Sequence, residues 1–143
     1  MHGDLPDDTH RTPPDVDETT VEALGKLSEA LETVERARGH LYTFHQLTGS
    51  ADFALGDAVA LLRQAGHTEL ADRLDTELLG RNVVPGRWTF QLVEEYDDGY
   101  WSLFRGLEQD ARDRLAGGTR HLHEARLKEQ RRSPGQPGHE ATP

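Results

Sequence analysis

The segment GRNVVPGRWTFQLVEEYDDGYW, Gly80 to Trp101, decides how this chain is read, because it holds both tryptophans, two of the three tyrosines and a run of carboxylates. Gly80, Pro85 and Gly86 break regular structure at its start. After Arg87 the apolar residues return at helical spacing, at Val93, Tyr96, Tyr100, Leu103, Leu107 and Ala111, with Leu92 and Phe104 beside them. The spacing predicts a helix from about Arg87 to Leu115. Phe90, Asp97 and Trp101 fall on the flank of its apolar stripe and Glu94 a little further round, whereas Glu95 and Asp98 project to the opposite side. Asp97 is therefore an acid among aromatics, and it needs a partner.

Upstream, Thr19-Thr20-Val21-Glu22 has the spacing of a capping box. The helix it opens carries Leu24, Leu27, Leu31, Val34 and Leu41 on one stripe, with Arg38 and His45 set into the same stripe. Gly49 reads as its C-terminal cap and Ser50 as the N-cap of a second helix, whose Ala51, Ala54, Leu55, Ala58, Leu61, Leu62 and Ala65 form a small-residue packing face. Gly66 ends that helix. Thr68 opens a short third one through Leu70, Leu74 and Leu78. Downstream of the fourth helix, Ala116-Gly117-Gly118 is a break, and Thr119 is placed to cap a basic segment from Arg120 to Arg132.

Short connections force neighbouring helices antiparallel. The expected fold is thus all-α: an antiparallel up-down-up-down four-helix bundle over residues 19–116, with two long and two short helices, followed by a C-terminal basic helical segment at 117–132. Residues 1–18 contain three of the seven prolines and six carboxylates and read as a disordered acidic arm, and 133–143 reads as a disordered tail. The long pair outreaches the short pair, so Leu24–Val34 and Leu103–Leu115 are expected to be covered by a second copy of the chain, assisted by the 119–132 segment.

Matching the first and fourth helices by level sets Arg38 opposite Tyr96 and Asp97, and Tyr42 and His45 opposite Leu92 and Trp88. A lone guanidinium mid-stripe is severely unfavourable, and the carboxylate on the facing helix answers it. The candidate ligand-binding residues are Arg38, Tyr42, His45, Asn82, Arg87, Trp88, Glu94, Asp97 and Trp101, with Glu35 flanking the same spot. One reading makes the Arg38 and Asp97 pair a device that fixes helix register. The other makes it part of a pocket for a small anionic or polar ligand, with Arg38, Arg87 and His45 as donors, Asp97 or Glu94 as acceptor or base, and the tryptophans as walls.

Other chemistries lack their residues. A di-iron bundle needs Glu-x-x-His on two helices, and that motif is absent, so no metal and no cofactor is expected. There is no cysteine, no serine on an activating turn and no phosphate-cradling glycine loop. A net charge of −10 argues against nucleic acid as the main partner. No apolar run approaches membrane-spanning length, and the N-terminal residues lack the apolar core of a signal peptide, so a cytoplasmic location with no membrane partner is expected.

The segments RARGHLYTFHQL, from Arg36, and GRNVVPGRWTFQLVEEYDDGYW resemble those of an uncharacterised small helical protein family of actinobacterial type. The resemblance spans about residues 22–133. It implies no assigned activity, and no catalytic residue transfers with it. The expected function is a non-enzymatic interaction or structural protein that self-associates as a dimer, with a protein partner at the aromatic and acidic Trp88–Trp101 surface. The alternative is a small-molecule binding protein or enzyme using the Arg, His, Asp and Tyr cluster.

Overall fold

The computed structural model describes residues 16–142. All of the regular structure in it is helical, as the periodicity predicts: α1 (Glu18–Gln64), α2 (Thr68–Glu77), α3 (Thr89–Tyr96), a π-helical turn (Asp97–Trp101), α4 (Ser102–Ala116) and α5 (Leu122–Arg131). Most of the acidic arm expected over 1–18 lies outside the described residues. The chain divides into two compact units. One is built from the chain through Val34 together with Ser102 onward, the other from Glu35–Trp101.

The helix start lies just upstream of the expected capping box. The Thr20 N–H donates to Asp17 Oδ1 at 2.7 Å, so Asp17 takes the role that the sequence assigns to Thr19. That backbone hydrogen bond, with a second from the Thr20 side chain, holds the Asp17 carboxyl below the usual carboxylate range.

The predicted break at Gly49-Ser50 does not form, and α1 runs 47 residues without interruption. The two helices expected at 19–49 and 50–66 are one, so the turn that an up-down-up-down order needs there is absent. A glycine inside a helix costs only about 1 kcal/mol, and packing overrides it. The Thr43 and Thr48 hydroxyls donate back to the carbonyls of Gly39 and Phe44, and beyond Gly49 the helix is tied down by α2 and its following loop. Arg63 pairs with Asp72 and Asp75, and the Gly80 N–H donates to Asp52 Oδ1 at 2.9 Å. The helix ends at Gly66 as predicted. With φ at +85°, the Gly66 N–H donates to the Arg63 carbonyl and the His67 N–H to the Leu62 carbonyl, a Schellman arrangement.

In the 35–101 unit, Val59, Ala71 and Val93 are buried. α3 runs antiparallel to α1 there, since contacts pair rising numbers on one helix with falling numbers on the other, from Glu35 with Trp101 to His45 with Thr89. The loop before α3 is set by Pro85 and Gly86. Gly86 has φ +75° and the Arg87 N–H donates to the Val84 carbonyl at 3.0 Å, which is a type II turn with each residue in its preferred place.

In the other unit, Val21, Leu24, Ala116 and Leu122 form a small core with Val16 and Ala111 against it. Leu122 of α5 packs over Val21 and Leu24, so this chain's own C-terminal segment covers part of the surface expected to await a second copy. α5 starts at Leu122, after His121 in a left-handed conformation, rather than at Arg120 after Thr119. Beyond it, Arg132 is buried, forks onto the Glu129 carboxylate and donates to the His139 carbonyl.

The π turn changes which residues face inward. A π turn lags an α-helix by about one residue over five, and the inward set moves by that amount. Tyr100, Leu103 and Leu107, expected on the core stripe, are exposed. Trp101 and Phe104 are half-buried instead, and Glu108 is buried. Glu108 is satisfied by the Arg112 guanidinium at 2.8 Å and the Ser28 hydroxyl at 3.1 Å.

Candidate functional site

Arg38 lies on α1 and Asp97 opens the π turn. The guanidinium meets the carboxylate as a fork, Nε to Oδ1 at 2.7 Å and Nη2 to Oδ2 at 3.0 Å. Nη2 also donates to the Tyr42 hydroxyl at 3.3 Å, one helical turn along. The Trp101 ring lies against the guanidinium at 4.1 Å and the Tyr42 ring at 4.9 Å, both within cation–π range. Trp101 is held by its indole N–H, which donates to Glu35 Oε1 at 3.0 Å. Asp97 and Trp101 are four residues apart, so both lie on the α1 side.

The pair is only part-buried, with 25% of the Arg38 and 20% of the Asp97 side-chain surface exposed. The hydrogen bond from Arg38 holds the Asp97 carboxyl below the usual carboxylate range, and the reciprocal bond raises Arg38 further. Both groups stay ionised over the whole physiological range. A guanidinium forked onto a carboxylate and stacked on rings is already neutralised, and an incoming anion would have to displace Asp97.

The remaining candidates separate from this pair. The His45 Nδ1 shares a hydrogen bond with the Thr89 hydroxyl at 2.7 Å, one residue from the expected level of Trp88. Arg87 turns away and pairs with Glu95 at 2.7 Å. Glu94 is exposed. Trp88 is exposed, meets the Phe90 ring edge-on at 5.2 Å, and has its backbone N–H capped by the Gln91 side chain at 2.8 Å. An open groove of about 660 Å³ runs between α1 and the loop before α3, with Leu55, Leu78, Asn82, Val83 and Trp88 on its walls and Asp52 at its edge. Arg38, Tyr42, Asp97 and Trp101 do not line it. The residues expected in one cluster thus separate. Arg38, Tyr42, Asp97 and Trp101 form the ion-pair group, Asn82 and Trp88 line the groove with His45 bonded to Thr89 beside it, Arg87 pairs with Glu95 on the surface, and Glu94 stands apart.

Sequence reasoning passed over Thr89 and Glu108. Thr89 is the first residue of α3 and lies one position from the residue matched to His45, so a level match allowing a one-residue offset reaches it. Glu108 is hidden by the assumption of unbroken α periodicity. Among the described residues, no three His, Asp or Glu side chains are placed to hold a metal ion, and no helix is long and apolar enough to cross a membrane. The chain matches no family model, no curated protein and no solved structure.

Proposed function

We propose that this chain is a non-enzymatic interaction protein of the cytoplasm that acts by associating with itself, in keeping with the small helical actinobacterial-type proteins its two segments resemble. The observation that carries this reading is the amount of large apolar side chain left in water on helices that are otherwise well formed. In the 35–101 unit Leu47 is 64% and Leu61 62% exposed, and in the other unit Leu103 and Leu107 are exposed one turn apart on α4. Scattered apolar residues on a surface are ordinary, but rows at helical spacing mark a contact surface. The closed Arg38–Asp97 fork supports the same reading, since it acts as a register device rather than an open receptor.

Sedimentation equilibrium from micromolar to high micromolar concentration tests it. A reversible dimer is expected. A monomer at every concentration would sink the proposal.

The groove favours a second reading, in which a small, mainly apolar ligand with one polar group is held between Trp88 and Leu55, with Asn82 as its hydrogen-bonding partner. Thermal-shift screening of such compounds against the wild type and Trp88→Ala separates the two readings. A stabilisation that Trp88→Ala removes supports the ligand.

A further inference from the structure

Within the proposal of self-association, the geometry points to one face: we infer that α1 pairs with the α1 of a second copy, antiparallel, through the row Phe44, Leu47, Ala51, Ala54, Ala58, Leu61 and Ala65. These seven positions alternate spacings of three and four, the seam of a two-helix coiled coil. Every one of them is exposed, although the neighbouring face of the same helix, with Leu55, Val59 and Leu62, packs within its own unit. The row contains no charge and no polar group. Sequence reading alone assigns these alanines to ordinary packing inside the chain, and the structure leaves them without that cover.

The sizes along the row suit a copy of itself. Small residues occupy the middle, at Ala51, Ala54 and Ala58, with large ones on either side at Phe44, Leu47 and Leu61, and Ala65 just past the end of the helix. Two helices that cross come closest at one point and diverge on either side, so small side chains belong at the crossing and large ones beyond it. Setting Ala51 against the partner copy's Ala54 about a two-fold axis brings Leu47 to Ala58 and Phe44 to Leu61, each contact made twice. The row offers on the order of 500–600 Å² per copy, at the lower end of what a stable dimer buries.

Charge selects the direction. Arg36 is exposed and lies five turns before Ala54 on the same line of the helix. A parallel pair would oppose it to another Arg36. The antiparallel pair carries it past the end of the facing α1, to the level where α2 begins with the exposed Glu69. Phe53, 82% exposed, lies about 100° round the helix from Ala54 and outside the row. It therefore serves as a control for unspecific apolar sticking.

The chain has no cysteine, so introduced ones report cleanly. In the inferred dimer Leu47→Cys lies about 16 Å along the axis from its own copy, too far for a disulfide, but next to Ala58→Cys. Under mild oxidation neither variant alone should cross-link, while an equimolar mixture should. Ala54→Arg should weaken dimerisation at least about tenfold with an unchanged helical circular dichroism spectrum, because it buries an unpaired charge only in the dimer. Phe53→Asp should leave the dimer intact. Leu47→Cys cross-linking to itself overturns the antiparallel pairing, and a dimer that survives Ala54→Arg or fails to cross-link in the mixture overturns the face; either leaves self-association standing. A wild-type monomer throughout would remove both.

Discussion

Arg38 and Asp97 hold each other through two hydrogen bonds, and their side chains keep a fifth to a quarter of their surface in water. That intermediate burial sets the size of the effect. Arg38→Met or Asp97→Leu alone should cost about 1–3 kcal/mol, less than the loss of a fully buried pair, while the double variant should recover most of it. Denaturant unfolding of the three variants checks this, and additive losses would mean that the two side chains are not coupled. The same contact makes stability depend on acid. The folded Asp97 carboxyl is shifted down, so its contribution is complete above the unfolded value of about 4 and is lost as pH falls from there through the lower folded value. Asp97→Asn should flatten part of that acid decline and leave the slope above pH 5 unchanged, as chemical denaturation at a series of pH values would show.

At the scale of elements, the difference between expected and observed structure lies at two glycines, Gly49 and Gly99. The helical periods, the Gly66 stop and the Pro85-Gly86 turn were legible because each has a local cause: spacing, a left-handed cap, a fixed proline φ. The Arg38–Asp97 contact was legible too, because an unpaired charge on an apolar stripe demands a partner at the same level. Gly49 misled because local propensity cannot register α2 and its loop bracing the helix beyond it. The π turn left no local mark except Asp98-Gly99 in a polar patch, so Leu107 was read inward in place of Glu108. Deleting Gly99 should convert the π turn to α and keep Trp101, Phe104 and Glu108 facing inward, with a melting temperature equal to or above wild type. Deleting Gln109, within regular α4, should instead rotate the Arg112–Ala116 face by about 100° and lower the melting temperature sharply. Similar losses from both deletions would contradict the register account.

On the scale of the whole molecule, the candidate site was legible in its parts but not in its grouping. Level matching along two ideal helices compressed His45, Asn82, Arg87 and Trp88 into the neighbourhood of Arg38, whereas the turn at Val84–Arg87 redirects Arg87 toward Glu95 and leaves Asn82 and Trp88 on a separate groove. The division into two compact units was also invisible, because one of them joins the chain through Val34 to Ser102 onward, stretches remote in sequence that flank the continuous run Glu35–Trp101. α1 belongs to both, passing through the boundary between Val34 and Glu35 without interruption. That continuity has a thermodynamic consequence. Helix hydrogen bonds propagate cooperatively, so fraying in one unit removes support from the other, and the two should melt in a single calorimetric transition. Proline at the exposed Ala37 deletes one rung of that ladder and should split the transition in two while each unit keeps its own core. A single, merely lower transition in Ala37→Pro would show that α1 is not what makes the units fold as one, and would leave the run from the π turn into α4, which crosses the same boundary at Trp101–Ser102, to carry the coupling.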